Sequence, residues 1–360
     1  MQTCRRVVLF GAGASFGARP ELDPPVGQNL HEYVGRYLEK KFPALREWDS
    51  YDVTTDSVTA SHGVRNKLKH LLVKAQSFER LANRLSHCHE RDLLAKLNFL
   101  MACAMTPPIF PLIPDDEPRV NDAFIEQHDV YDAFLQRNFA TSEERHNASF
   151  ITLNYDCLLE RAICRSFFNG PQDGESRCRC THVNYRIKSS ESKGIEVLKP
   201  HGSINWVGNI LGGGPNLTSV NYVEPEPDDD RPSYTDIDIV SSLIGKSGDP
   251  DGLVIATYAT GKNPQTNPKL LFDIQNAAKS RMRDAAFVEI IGVHLPKDSG
   301  DDPFLWSLLE LLAEKVKAHC QVIYINPDKN EIERARGHYR FEAVAKTFRD
   351  YVNSAGCLRR

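Results

Sequence analysis

The chain has 360 residues, 41% of them hydrophobic and 26% charged, the balance of a water-soluble globular protein with a sizeable core. Its 44 Lys and Arg against 48 Asp and Glu leave a formal charge of −4, which excludes a global electrostatic pull toward nucleic acid or an anionic membrane. No stretch approaches the ~18 to 20 consecutive apolar residues of a membrane span, there is no signal-peptide core, and nine cysteines without a regular framework suit reduced thiols; a cytoplasmic location is expected.

The first β-rich run is Arg6 to Phe10, broken by Gly11-Ala12-Gly13-Ala14-Ser15. About 140 residues separate it from the next such run, Phe150 to Leu153. That interval reads as helical: Leu30, Val34 and Tyr37 or Leu38 keep a 3.6-residue period, and Val64 to Met105 holds little glycine or proline, before the proline-rich Thr106 to Pro118 breaks the pattern. Leu211 to Asp251, with Gly212 to Gly214 and an acidic run from Glu224 to Asp230, reads as a surface loop or lid. Further β-rich runs follow at Leu253 to Tyr258, Ala286 to Ile291 and Gln321 to Ile325, with helices between them. Asn267-Pro268 and Asp302-Pro303 each offer an N-cap and a proline at the first helical position. Leu270, Leu271, Ile274, Ala278 and Met282 then follow the first, and Leu305, Leu308, Leu309, Leu312 and Val316 the second, at helical spacing. Runs such as VVLF, FVEII and VIYI are apolar and not alternating, Glu289 in the second apart, as expected of parallel strands covered on both faces. Strand and helix in alternation predict an α/β fold, a Rossmann-like doubly wound parallel sheet, built from residues 1–28 and 148–360 and interrupted by a helical insertion at 29–147. There is no internal repeat.

Three stretches bear chemistry. Gly11 to Ser15 follows a strand, as phosphate-holding turns do, but Phe16 stands where GxGxxG has its third glycine; a phosphate loop and a tight corner are both open readings. In FITLNYDCLLERAI a buried strand ends in Asn154-Tyr155-Asp156 and turns into an amphipathic helix, which puts three polar residues at the carboxyl end of a strand, where open α/β sheets bind ligands. Helix capping by Asp156 explains one of them. In VLKPHGSINW a short strand runs into His201-Gly202-Ser203; the Gly-Ser pair lets backbone approach a ligand, and Trp206 is placed to wall a pocket.

In that order, GAGAS, TLNYD, KPHGSINW, VEIIGVHLPKDSGDDPFLWSLL and VIYINPD resemble the Sir2-like family, and most nearly its divergent bacterial branch of anti-phage defence systems, whose members carry a helical insertion and often hydrolyse NAD. The resemblance spans residues 5–30 and 148–330, with SFERLANRL a looser match in the insertion. It implies that Gly11, Ala12, Gly13, Ala14 and Ser15 cradle the NAD pyrophosphate. Asn154 and Asp156 match the N-x-D motif beside the nicotinamide and its ribose, with Tyr155 between them, and His201 matches the catalytic histidine, followed by Gly202 and Ser203. Gly292 and His294 fall where the family contacts the adenosine half, His294 replacing a more usual small polar residue, and Asn326 falls where it contacts the adenosine ribose.

Two departures redirect that expectation. The Sir2 deacetylases hold a structural zinc on two cysteine pairs after the catalytic histidine, and between His201 and Cys320 there is no cysteine; Cys178, Cys180 and His182 lie upstream without an evident fourth ligand, so no metal is expected. The glycine turn also runs into ELDPPVGQNL rather than the deacetylase continuation. Hydrolysis of NAD⁺ to nicotinamide and ADP-ribose is therefore expected ahead of deacylation, ADP-ribosyl transfer, or NAD or ADP-ribose binding in an assembly module without turnover. Nicotinamide leaves as a neutral molecule and needs no general acid, so Asn154 to orient, Asp156 to accept from the carboxamide and His201 to take a proton are the residue types the reaction needs. The resemblance further implies a homo-oligomer and a HerA-like ATPase or short Argonaute-type partner that supplies the trigger.

Overall fold

Val7, Val8, Leu9 and Phe10 are completely buried in β1 (Arg6–Phe10), as a strand covered by helices on both faces requires. The computed structural model of the protein describes residues 5–18, 31, 34–35, 64–75, 78–88, 93–94, 97, 129–168, 183–186, 194–209, 219–222, 253–255, 268–299 and 301–354. After β1 come α1 (Ala12–Ala18), α2 (Val64–Lys74), α3 (Phe78–His87), α4 (Asp129–Asn138), α5 (Ser142–Asn147), β2 (Ala148–Thr152), α6 (Leu158–Phe168), β3 (Val183–Asn184) and β4 (Ile195–Leu198). The chain continues through β5 (Gly202–Asn209), β6 (Ser219–Tyr222), β7 (Leu253–Ile255), α7 (Pro268–Asp284), β8 (Phe287–Ile291), α8 (Pro303–Lys317), β9 (Gln321–Ile325), α9 (Lys329–Gly337), β10 (Glu342–Val344) and α10 (Phe348–Asn353).

Seven strands form one parallel sheet in the order β10-β9-β8-β1-β2-β4-β3. The chain moves outward from β1 through β2 on one side, then returns to place β8 on the other side of β1. This is a doubly wound α/β sheet, and its switch point, where such sheets open a crevice at the carboxyl ends of the strands, lies between β1 and β8. The run beginning at Leu253 departs from the parallel set: β7 pairs antiparallel with β5, in a small second sheet of order β6-β5-β7. Residues 256–258 of that run, the Asn267 cap and most of the expected loop at 211–251 lie outside the described residues.

The two proline-started helices form as their spacing predicts. Leu271, Ile274, Ala278 and Met282 of α7 are buried, and α8 buries Leu305, Leu308, Leu309 and Leu312 behind an N-cap in which the Asp302 side chain accepts from the Leu305 amide. Residues 129–147, assigned from the sequence to the end of the 29–147 insertion, pack with the α/β layer in space: Val130, Tyr131, Phe134, Leu135 and Phe139 belong to the main core. Phe10 meets Tyr131, Phe134 and Phe348 edge-on at ring-centre distances of 5.3, 5.8 and 5.8 Å, so α4 and α10 close over β1 through aromatic pairs worth about 0.5–1.5 kcal/mol each beyond their buried area. Leu68 and Leu72 of α2, with Phe78, Leu81, Ala82 and Leu85 of α3, are buried apart from that core; the rest of the expected insertion lies largely outside the described residues.

Two carboxylates inside the sheet are paired. Glu289, in the otherwise apolar β8, accepts from Arg6 Nε at 2.9 Å and from the Tyr351 hydroxyl at 2.8 Å. Glu196 of β4 accepts from Arg281 of α7 at 2.6 and 2.8 Å, from Ser149 of β2 at 2.6 Å and from Arg186. Burial alone would push the Glu196 carboxyl up, but the Arg281 and Ser149 hydrogen bonds and the Arg281 and Arg186 charges outweigh it and hold the group at about 2. A depressed folded value means that the stabilisation is complete above the ordinary carboxylate range and is lost as pH falls from about 5 toward 2, amounting to about 3 kcal/mol. Urea midpoints measured against pH should show Glu196→Gln less stable than wild type near pH 7, the gap closing by pH 2 to 3; a gap that persists in acid contradicts the assignment.

Candidate functional site

The turn after β1 is shaped by a backbone crossing. The Gly11 amide donates to Ile291 O and the Gly13 amide to Gly292 O, both at 2.9 Å, so the end of β8 lies directly against the start of α1. A Cβ at Gly11 would stand 2.6 Å from Gly292 O, one at Gly13 2.9 Å from the same atom, and one at Gly292, whose φ is +63°, 2.1 Å from Ala14 N. Glycine is required at all three positions for close approach, and at Gly292 for conformation as well. Of the two readings of this turn, the tight corner is thus fully explained by packing, and it sits at the switch point where a ligand is expected. Three of its amides are committed internally, Ala14 N–H donating to Gly11 O at 2.9 Å.

Beside this turn the polar end of β2 folds over. Asn154 is buried and its Nδ2 donates both to Gly11 O at 3.0 Å and to Ser15 Oγ at 2.9 Å. Ser15 Oγ donates to Asp156 Oδ2 at 2.9 Å, while Asp156 Oδ1 accepts the Leu158 amide at 3.1 Å at the start of α6. Asp156 therefore holds the first amide of α6 with one oxygen and joins the cluster through the other. Tyr131 of α4 adds its hydroxyl 3.3 Å from Ser15 Oγ, and burial, then the Asp156 charge, push that phenol well above its ordinary value, so it is a neutral donor or acceptor at any physiological pH.

The KPHGS stretch closes the cluster from β4. Gly202 takes φ +82° and donates to Lys199 O at 2.9 Å, making a turn in which Lys199 points inward. There its ammonium bonds Glu160 Oε1 at 2.8 Å and the Asp156 carbonyl, with both side chains of the pair fully buried. Burial would lower the Lys199 ammonium, but the charges of Glu160, Cys157 and Asp156 hold it above its ordinary value. Tyr185 also donates to Glu160 Oε1, at 3.2 Å, and Ser203 Oγ donates to Tyr155 O at 3.3 Å. His201, 1% exposed, has Nδ1 3.3 Å from Leu153 O and Nε2 3.6 Å from Asp302 Oδ2. Its ring lies 6.4 Å from that of buried Tyr155 and 6.2 Å from that of Phe304. Trp206 does not wall a pocket: it is fully buried, edge-on to Tyr185 at 5.4 Å.

Gly292, His294 and Asn326 form a second group at the ends of β8 and β9, joined to the first through the Gly292–Gly13 contact. The Asn326 amide donates to Val293 O at 3.1 Å and to the Tyr324 hydroxyl at 3.0 Å, while its carbonyl accepts the Asp328 amide at 2.9 Å. Buried Glu331 accepts the Leu295 amide at 2.8 Å on Oε2 and Arg334 Nη1 at 3.0 Å on Oε1, and exposed His294 has Nδ1 3.2 Å from that same Oε1. Burial, then the Glu331 charge, push the Tyr324 phenol far up. This group is a braced loop with one imidazole on its surface.

Sequence reasoning missed Tyr131, which lies in a segment assigned to the insertion and carries no motif, and the Lys199–Glu160 pair, although a lysine in a strand-end KPHG was a visible signal. It read Asp302 only as a cap. Ala12 lies at the exposed start of α1. Cys178, Cys180 and His182 lie outside the described residues, among which no group of three or more His, Cys, Asp and Glu side chains is placed to hold a metal ion, and no helix is long and apolar enough to cross a membrane.

No family model and no curated protein matches the chain. Among solved structures it is similar to a Sir2 homologue in complex with NAD, at 14% identity over 98% of this chain and 88% of that one, with a TM-score of 0.44. It is likewise similar to a serine-to-alanine Sir2 homologue in complex with ADP-ribose, at 15% identity over 98% and 90% of the two chains, TM-score 0.37. A third similarity is to Sir2 bound to an inhibitor, 2′-O-acetyl-ADP-ribose and a deacetylated peptide, at 12% identity over 97% and 90%, TM-score 0.41. These are likenesses of fold, between chains that share few residues.

Proposed function

We propose that the protein hydrolyses NAD⁺ at the bond between nicotinamide and ribose, releasing nicotinamide and ADP-ribose. One observation carries the reading: Ser15, Asn154, Asp156 and His201, from three separate chain segments, gather at the carboxyl ends of β1, β2 and β4, beside the switch point of the sheet. The residue types fit the ligand. An amide, a hydroxyl and a carboxylate in one network suit a carboxamide and ribose hydroxyls. In the reaction the glycosidic electron pair neutralises the nicotinamide nitrogen as it leaves, water bonds to the anomeric carbon, and the proton that water sheds goes to His201. Asn154 and Asp156 hold the nicotinamide ribose so that the developing positive charge forms beside the Asp156 carboxylate.

Binding exchanges existing bonds for new ones, because the Asn154 donors are held by Gly11 and Ser15 and one Asp156 oxygen by Ser15. A resting state with low turnover fits that exchange. The resemblance of the sequence to anti-phage Sir2-like proteins supports an effector role in abortive infection, as a homo-oligomer activated by a HerA-like ATPase or short Argonaute-type partner. The test is to incubate the purified protein, alone and with the product of a neighbouring gene, with NAD⁺ and to separate the products. Nicotinamide and ADP-ribose in equal amounts are expected. Nicotinamide released only when an acyl-lysine peptide or a protein acceptor is present assigns deacylation or transfer instead, and binding without turnover assigns an assembly module.

A further inference from the structure

His201 is held between two acceptors. Its Nδ1 faces the Leu153 carbonyl at 3.3 Å; with the proton on Nδ1 the ring donates there and keeps Nε2 as the atom that accepts one. Beside Nε2, at 3.6 Å, lies Asp302 Oδ2, longer than a hydrogen bond and close enough to attract the ring once Nε2 is protonated. The Asp302 carboxylate is not free to wander: it is 5% exposed, its Oδ1 accepts the Leu305 amide at 3.0 Å as the N-cap of the fifteen-residue helix α8, and Pro303 follows it at the first helical position. Phe304, after Pro303 in the chain, sets its ring edge-on to the imidazole at 6.2 Å.

We propose that Asp302 is the positioning residue for His201, fixing the imidazole through the cap of α8 and strengthening Nε2 as a proton acceptor. The inference rests on the hydrolase reading for its catalytic consequence. When water bonds to the anomeric carbon and nicotinamide departs with the electron pair, the water proton moves to Nε2; the imidazolium so formed has one N–H toward Leu153 O and the other toward the Asp302 carboxylate. A helix cap has one job in most proteins, and here each oxygen of one carboxylate has its own. Among the described residues, other charged groups at this end of the sheet include Asp156, the Lys199–Glu160 pair, Asp301, the Glu331–Arg334 pair and Lys279 of α7, whose ammonium stands 5.8 Å over the Phe304 ring. They are unchanged in the variants below.

Asp302→Asn keeps a cap of equal quality and removes the charge, whereas Asp302→Ser keeps a cap and withdraws the side chain from His201. For both, kcat is expected to fall about tenfold or more with KM within about twofold, and the acid limb of the activity profile to move about one unit lower, because a weaker base stays unprotonated to lower pH. A purely structural cap would leave limb and kcat in place. Independently of turnover, the titration of the His201 ring followed by NMR in the free protein, assigned by difference with His201→Gln, is expected to show a midpoint about one unit lower in Asp302→Asn, a tenfold loss of proton affinity. A midpoint that does not move, or a wild-type ring that does not titrate, overturns the inference. A wild type that releases no nicotinamide while the midpoint moves counts against the hydrolase reading and leaves the Asp302 to His201 coupling standing.

Discussion

Replacing His201 with glutamine is expected to cut nicotinamide release at least ~100-fold, the contribution of a positioned general base. Glutamine is the informative substitution because it is close in size and its amide still reaches the Leu153 carbonyl, so the loss reports chemistry and not a cavity next to Phe304. KM should change little, since the imidazole acts on the proton that water sheds and not on the parts of NAD⁺ that give binding energy. Asn154→Ala is the complementary case. It removes the donors that Gly11 O and Ser15 Oγ now accept and with them the geometry of the cluster, so KM should rise as kcat falls. Steady-state kinetics on the activated protein, with products separated, decide the matter. Activity within about tenfold of wild type in both variants removes His201 and Asn154 from the site.

Lys199→Met is expected to destabilise the fold by about 3–5 kcal/mol, the typical cost of removing one member of a buried ion pair. Methionine matches the length of the lysine stem, so the cost comes from the carboxylate left behind. Glu160 is fully buried, its Oε2 already lacks a hydrogen-bond partner, and the Tyr185 hydroxyl at 3.2 Å becomes a lone donor to a charge with no counter-ion. The Asp156 carbonyl loses its donor at the same time, which loosens the loop that carries Asn154 and Asp156. Adding Glu160→Gln to Lys199→Met should recover much of the lost stability, because a neutral amide tolerates burial better than an unpaired carboxylate. Urea denaturation of the single and double variants measures both steps, and a Lys199→Met protein within about 1 kcal/mol of wild type shows that the pair adds little to the fold.

Legibility in the sequence followed element length and burial. Runs such as RVVLF, FVEII and QVIYI stood out because a strand buried on both faces is apolar at most positions, and the helices after Pro268 and Pro303 because a proline start joined to a 3.6-residue period has few other solutions. Strands β3, β4 and β10, of two to four residues, carry no periodicity of their own and exist through their neighbours. The run at Leu253 was legible as a strand but not as a member of an antiparallel sheet, because partner choice is a tertiary matter. Glu289 shows the limit of the apolar rule: a carboxylate inside β8 is admissible once Arg6 and Tyr351 reach it from distant points of the chain.

The chemistry divided the same way. Asn154, Asp156 and His201 could be picked out as candidates because each follows a short strand at its polar end, and the topology of a parallel sheet brings such ends to one edge whatever the details of packing. By itself, then, the sequence determined the α/β class, the central strands, the proline-started helices and the strand ends where chemistry belongs, all of which depend on local periodicity and composition. The tertiary structure alone decided that Gly11, Gly13 and Gly292 are one backbone crossing, that Tyr131 reaches Ser15 from a helix 116 residues away, and that a helix cap faces the imidazole of His201. These are contacts between segments far apart in the chain, set by a few ångströms of packing, and no spacing of residues along one strand or helix encodes them.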